Sequence, residues 1–373
     1  MKNLEQCLVA EYKEARFESP SFGAFFSFHT YTDDAVGMTG GATAWDTLAI
    51  FRDIKPCLLL NGVVQYYLNP ANFAQKADGS TATINSTSAG DVMIEFPKIG
   101  IKITTSGNYV DIKITDGPDR TGEGFHYYAH SRASEGDRNK LYLGAYKGYV
   151  TGSKLYSLSG FSPAVNQTIG TFRGYAQARG TGYDMVSFYP LIMVQCLYLI
   201  KYKNLNSQNA LGRGFVDGNS AFIVTGGTNA KGMNYGETTG KLQMKLFGLE
   251  DFWGNVWEWI DGLFSDASRN ILTAFQNFND TGSGYTNRGQ GATSNIGGWL
   301  SKVQGTTETG FIAKEVSGSE TTYWADYAYL DASYLPIFGA SWTDGSNAGA
   351  FRLYVNYSAS HASSSIGARL MYL

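Results

Sequence analysis

Four carboxylates fall within one short stretch, GLEDFWGNVWEWIDGL from Gly248 to Leu263: Glu250, Asp251, Glu258 and Asp261, among Trp253, Trp257 and Trp259. Two of them brought together in space could act as general acid and base in glycoside hydrolysis, a chemistry that needs spatial rather than sequence proximity. The same residue types have a structural use, which the composition favours. Carboxylates beside tryptophan in a glycine-turned segment accept backbone N–H groups and fix loops. His126 and His130 stand four apart in HYYAH. On a helix they could share a metal, but the surrounding text reads as strand and supplies no third ligand, so no metal is expected. HExxH, GxxxxGK[ST], GxSxG and paired CxxC are all missing, and the glycine-rich TGGTNAKGMNYG lacks phosphate-loop spacing. No catalytic residue and no cofactor is therefore assigned.

A second group of residues suits binding. In Gly339 to Arg369, Phe351, Leu353 and Val355 alternate with Arg352, Tyr354 and Asn356, the pattern of a half-buried strand. Ser358 to Ser365 is too small and polar for a core. Alternation then resumes, with Ile366, Ala368 and Leu370 opposite Gly367, Arg369 and Met371. The outward set is Tyr, Asn, Ser, Thr, Asp and His, in which Tyr offers stiff amphipathic area and Ser or Asn adaptable hydrogen bonds. Taken alone, this composition describes an exposed polar hairpin at least as well as a binding face.

Composition limits the partners. A net charge of −3 without long charged runs argues against a nucleic-acid backbone or an anionic membrane, either of which wants a basic face. Cys7, Cys57 and Cys196 are odd in number and far apart, so neither a disulfide framework nor zinc spacing is available. The N-terminus carries acidic residues where an export signal needs an apolar run, which points to synthesis in a cytoplasm. Leu191 to Ile200 is too short to span a bilayer, which takes about 20 residues, so no membrane insertion is expected.

The elements that must position these groups can be placed along the chain. Leu4, Leu8, Tyr12 and Ala15 have helical spacing, predicting a helix over 1–22 able to pair with symmetry mates. Abundant Gly (45), Tyr (25) and Phe (22) predict many short strands and turns with aromatic side chains between them. Over 23–163 these are FGAFFSFHTY, two hairpins turning at Asn61-Gly62 and Ser106-Gly107-Asn108, and a closing pair LYLGAYKG and KLYSLSG. A domain boundary is expected at Ser162-Pro163. Ile169, Phe172, Tyr175, Ala176 and Arg179 predict a helix stopping at Gly180-Thr181-Gly182, and Pro190 opens one that is apolar all round. Residues 204–240 read as loop with a short strand at AFIVT, a length that implies a function or firm support from neighbours.

GLEDFWGNVWEW resembles the GLYDMxGNVWEW signature of the formylglycine-generating-enzyme subclass of C-type lectin folds. GASWTDGSNAGAFRLYVNYSASHASSSIGARL is similar to the variable region of proteins diversified by retroelements in phages and bacteria, typically GG(S/N)WNNGxxAGxF…IGFR. Arg369 matches the family arginine, Ala368 stands for the usual Phe, and Gly339-Ala340 for Gly-Gly. MIEFPKIGIKI, YLGAY, SLSG and LYLIKYKNLNSQNALGRG are similar to gut-phage tail proteins with such a C-terminal domain. The resemblance implies an α+β chain: an N-terminal segment 1–22 for oligomerisation, a β-rich attachment domain 23–163, and a C-type-lectin-like ligand-binding domain 164–373 with variable region 339–369. Oxidase chemistry in this family uses a cysteine pair, and 204–373 contains no Cys. The EPN, QPD and WND triplets of calcium-dependent sugar lectins are absent, and Trp342-Thr343-Asp344 is a partial echo. Ligand-binding positions carry over as Thr343, Asp344, Ser346, Asn347, Arg352, Tyr354, Asn356, Tyr357, Ser360, His361, Ser363 and Ser364, while Trp342, Phe351, Leu353, Val355, Ile366 and Leu370 are expected to hold the fold. The resemblance also implies a tail adhesin on the phage virion, homotrimeric, that binds a host cell-surface protein or glycan and joins other phage tail proteins. A tail-associated glycan hydrolase using Glu258 or Asp251 and a purely structural virion protein are the competing expectations.

Overall fold

A computed structural model describes residues 12–18, 25–31, 49–106, 109–116, 119–132, 135–218 and 220–373. Among them strands greatly outnumber helices, as an α+β or β-rich chain requires. At the predicted hairpin, Asn61 and Gly62 take φ of 49° and 78°, the geometry of a two-residue turn whose twist matches its strands. It joins Lys55–Leu60 to Val63–Asn69. A Cβ at Gly62 would collide with the ring of Tyr372, so the turn is also a packing site for the end of the chain.

These strands belong to a sheet of seven, in the order Tyr183–Met185, Leu370–Tyr372, Lys140–Gly144, Asp91–Pro97, Lys55–Leu60, Val63–Asn69 and Asn72–Lys76, with every neighbouring pair antiparallel. The last strand of the chain thus lies between strands from either side of the boundary expected at Ser162-Pro163. Buried side chains from both halves form one continuous core. The sheet thus draws strands from both sides of 162–163. LYLGAYKG and KLYSLSG do not form the expected pair. Lys140–Gly144 pairs with Asp91–Pro97 and Leu370–Tyr372, while Lys154–Tyr156 forms its own hairpin with Tyr149–Thr151.

A second sheet has the order Tyr12–Glu18, Phe25–Tyr31, Tyr109–Thr115, Gly100–Ser106. The predicted pair flanking Ser106-Gly107-Asn108 is present, with Ile101, Ile103, Val110, Ile112 and Ile114 buried. Tyr12–Glu18, expected to continue a helix, is a strand paired with Phe25–Tyr31. Partner strands supply the backbone bonds there, and local periodicity does not report them. Residues 1–11 and 19–22 of the expected oligomerisation segment, and Gly107 and Asn108, lie outside the described residues.

Both predicted helices form. Ile169–Gln177 is capped by Thr168, whose side chain accepts the Thr171 N–H, and such a cap offsets one orphan donor of the first turn. Phe188–Tyr202 is buried from Phe188 through Lys201, since apolar residues surround it. It packs on the turn Tyr128–His130 and on the second sheet. No helix among the described residues is long and apolar enough to cross a membrane. AFIVT is not a strand; Ile223 bonds a side chain described below, and Thr225 bonds the backbone of Gly160 and Phe161.

His130 ends the turn under that helix. Its Nε2 accepts the Ile99 N–H at 3.2 Å, and burial lowers its pKa to about 3. The unfolded chain binds a proton near pH 6.5 that the folded chain refuses. Stability is therefore full above pH 6.5 and is lost as pH falls toward 3, with a slope of about 1.4 kcal/mol per pH unit. Unfolding free energies measured across that window are expected to lose one proton of slope in His130→Gln; an unchanged slope would assign the acid sensitivity elsewhere.

Candidate ligand-binding face

The GNVWEW segment organises the C-terminal half. Positive φ at Phe247, Gly248, Asp251, Gly254 and Asn255 gives it a tight path. In the strand Trp257–Trp259, alternation sends Glu258 to one side and both tryptophans to the other. Glu258 sits between Lys147 Nζ at 2.8 Å and Arg369 Nη2 at 2.7 Å. Arg369 also donates to the carbonyls of Gly144 at 2.8 Å and Glu250 at 2.8 Å. Burial would raise the Glu258 carboxyl, but the Arg369 and Lys147 cations outweigh it and hold it below its ordinary value. Arg369, set by alternation opposite Ile366, Ala368 and Leu370, is thus in the core, as they are. Ile366–Gly367 pairs with Trp257–Trp259 and Leu370–Tyr372 lies inside the seven-stranded sheet, so this strand is covered on both sides.

The other carboxylates of the segment also fix structure. Glu250 accepts Gly226 N at 2.6 Å, Thr228 N at 2.8 Å and Thr228 Oγ1 at 2.6 Å, which pins the long loop. Asp261 receives Arg173 Nε at 2.9 Å and Nη2 at 2.7 Å. Asp251 accepts Gln243 Nε2 at 2.6 Å and Asn255 Nδ2 at 2.8 Å; burial, with the Glu250 charge adding, pushes its pKa up to about 7. Asn255 holds AFIVT from both sides, its Oδ1 accepting Ile223 N at 2.9 Å and its Nδ2 donating to Ile223 O at 3.0 Å. All four carboxylates are buried, and none lies in an open cleft as hydrolysis would need. Among the described residues no three His, Cys, Asp or Glu side chains gather as a metal would require.

Trp257 and Trp259 belong to a six-stranded sheet in the order Ile296–Trp299, Tyr327–Leu330, Leu353–Tyr357, Leu335–Phe338, Trp257–Trp259, Ile366–Gly367. Leu353 and Val355 point into the core as predicted, leaving Tyr354 and Asn356 half-buried on the opposite face. Tyr354 meets Trp257 at 4.8 Å and Tyr329 at 4.7 Å between ring centroids. Tyr329 continues to Tyr327 at 5.5 Å, and Tyr327 to Trp299 at 5.6 Å. Toward the chain end, Tyr357 meets Trp259 at 6.1 Å and His361 at 4.6 Å. An aromatic belt thus crosses the sheet, each contact adding packing beyond its buried area.

Groups outside the twelve predicted positions hold the backbone that carries the predicted residues. Trp342 N donates to Asn255 O at 3.0 Å, and Gly345 N to Val216 O at 3.1 Å. Gln208 Nε2 donates to Gly345 O at 3.0 Å and Ala348 O at 2.6 Å. Ala350 N donates to Ser207 Oγ at 2.9 Å, Gln195 Nε2 to Ala350 O at 2.7 Å, and Phe351 N to the Asp326 carboxylate at 2.7 Å. In the serine loop, Asn166 N donates to Ser363 O at 2.9 Å and Trp257 N to Ser365 O at 2.9 Å. None of these bonds uses a side chain from the twelve predicted positions.

The twelve separate into three groups. Thr343, Ser346, Ser360 and Ser364 are exposed; Asp344, Asn347, Tyr354, Asn356, Tyr357, His361 and Ser363 are half-buried. The two segments are neighbours, since the Asp344 charge adds to burial in raising the Tyr357 phenol. Arg352, expected to face the ligand freely, is instead buried. Its Nη2 donates to Asp344 Oδ1 at 2.7 Å and to Tyr354 Oη at 2.8 Å, and its guanidinium lies 4.5 Å from the Trp257 ring centre. A guanidinium over an indole is attracted by the ring's negative face, which offsets part of the cost of burying it. Of the residues expected to hold the fold, Phe351, Leu353, Val355, Ile366 and Leu370 are buried and Trp342 is half-buried. Sequence reasoning missed Trp299, Tyr327 and Tyr329; the alternation in Tyr327–Leu330, with Ala328 and Leu330 buried, was the available signal. A separate cavity of about 440 Å³ beside the long loop, lined by Ile223, Val224, Lys231, Tyr235 and Leu242, includes none of the twelve.

No protein-family model matches the chain, and no curated protein matches it. Among solved structures, PvdO from Pseudomonas aeruginosa is similar at 13% identity and a TM-score of 0.32, over 76% of this chain and 94% of that one. The U1 variant of the Major Tropism Determinant is similar at 11% identity and a TM-score of 0.20, over 84% of this chain and 77% of that one. Its M1 variant gives 11% identity and a TM-score of 0.20, over 85% and 78%.

Proposed function

We propose that this chain is a receptor-binding protein of a phage tail, an adhesin that presents a variable face on a C-type-lectin-like scaffold to a molecule of the host surface. The observation that carries it is the division of labour in 341–366. Backbone groups are bound to Asn255, Val216, Ser207, Gln208, Gln195, Asp326 and Asn166, while Thr343, Ser346, Ser360 and Ser364 project from that fixed path. Side chains there can be exchanged at little cost, since exposed substitutions usually shift stability by less than about 0.5 kcal/mol. The GNVWEW and IGAR resemblances support the same function. Three copies on one tail would add avidity, so that weak single sites suffice.

Replacing Thr343, Ser346, Ser360 and Ser364 together by Lys should leave the unfolding midpoint nearly unchanged and lower adsorption to host cells by roughly tenfold or more, the scale of a damaged interface. Unchanged adsorption by the folded variant would sink the proposal. Sibling phage genes should differ mainly within 343–364, whereas a purely structural virion protein would drift uniformly.

A further inference from the structure

Building on that face as the ligand-binding surface, we infer that its centre is made to receive a carboxylate from an acidic segment of a protein partner, with Arg352 as the recognising cation. The reason lies in how this chain treats three other buried arginines. In Arg369, Nε, Nη1 and Nη2 each donate, to Glu258, Gly144 and Glu250. In Arg173 all three donate to Asp261 and Asp280. In Arg132 they reach Leu373, Asp184 and Gly182. Arg352 is as deeply placed, with its side chain 3% exposed, yet only Nη2 is hydrogen-bonded, and both Nε and Nη1 lack a hydrogen-bond acceptor. A buried donor without an acceptor is costly, and a fold that bonds every guanidinium nitrogen of those three arginines leaves two of this one's open at its proposed contact surface.

The missing acceptor has a definable chemistry. A guanidinium is a planar fork matched to a carboxylate, and one carboxylate already sits there, Asp344 at 2.7 Å. Asp344 belongs to the same turn as the exposed Thr343 and Ser346, and its other oxygen accepts Ser341 N and Oγ at 2.7 Å each. It acts as an internal occupant that a ligand acid displaces when the Asp344 side chain rotates away, the backbone of the turn staying in place. Farther along the same strand face, Asn356 Oδ1 is also buried without a partner and calls for a donor. An acidic peptide offers both groups, a side-chain carboxylate and a backbone N–H. Tyr327, Tyr329 and Tyr354 form the adjoining part of the aromatic belt, and Tyr is a residue type of protein-binding paratopes.

The test titrates the full chain with poly-L-glutamate, poly-L-glutamine and oligogalacturonate, using wild type, Arg352→Lys, Arg352→Gln and Asp344→Asn, each checked for folding by near-UV circular dichroism. Poly-L-glutamate should bind wild type in preference to the other two probes and lose roughly tenfold in affinity in both Arg352 variants. Asp344→Asn should bind it several-fold more tightly, because the internal competitor is gone; a merely structural Arg352–Asp344 pair predicts no gain. That arm decides the matter even if the Arg352 variants do not fold. Failure of poly-L-glutamate to bind, preference for oligogalacturonate, or unchanged or weaker binding in Asp344→Asn would each overturn the inference. Adsorption still lost in the four-lysine variant while poly-L-glutamate does not bind would leave the adhesin standing without its acidic ligand.

Discussion

Arg369→Leu is expected to cost about 3–5 kcal/mol of folding stability, the penalty for leaving a buried charge cluster without one partner. The guanidinium ties Glu258 to the carbonyls of Gly144 and Glu250, so its loss opens the junction between the seven-stranded sheet and the strand Trp257–Trp259. Urea unfolding would measure it, with exposed Ser360→Ala as the control expected to stay within about 0.5 kcal/mol. Replacing Lys147, Glu258 and Arg369 together by Met, Leu and Leu should be less damaging than the single change, because an apolar trio strands no charge. The pH dependence of this cluster comes from Glu258, whose carboxyl is held below its ordinary value. Its contribution is present above the ordinary carboxylate range and is lost as pH falls through the depressed folded value. A single Arg369→Leu variant as stable as wild type would refute the assignment of this cluster as the junction.

Trp257→Ala is the second large effect. Removing a buried indole typically costs about 3–5 kcal/mol, and here the ring also backs Arg352 at 4.5 Å and Tyr354 at 4.8 Å. Adsorption should therefore fall further than the folded fraction does, because the surviving molecules present a disordered face. Trp257→Phe keeps an aromatic floor and should recover much of the stability. Adsorption that simply tracks the folded fraction in both variants would mean that the indole supports the fold and not the face.

The sequence is informative wherever a signal is local. Asn61-Gly62 announces its hairpin because two positive φ values in succession favour those residues. The helix Phe188–Tyr202 is legible from apolar residues on all sides, and Leu353 and Val355 from a period of two. The carboxylates of GLEDFWGNVWEW are readable as loop fasteners, and Glu250 and Asp251 accept bonds from the long loop and its anchor Asn255.

Pairing between distant segments is not legible. Alternation places Arg369 opposite Ile366, Ala368 and Leu370, but a period of two only says that neighbours differ; it cannot report that both sides of a strand are covered, as they are for residues 366–371. The boundary at Ser162-Pro163 is a change of composition, and the strand Leu370–Tyr372 crosses it by pairing with Lys140–Gly144. Strand position puts Arg352 among the ligand contacts, and only the fold brings Trp257 beneath it and Asp344 over it. The sequence by itself determined which residues this protein can expose and which turns it can make. Tertiary structure decided which charges are hidden, because burial and partner supply depend on segments more than a hundred residues apart, as with Glu258 and Arg369, and no local pattern encodes that distance.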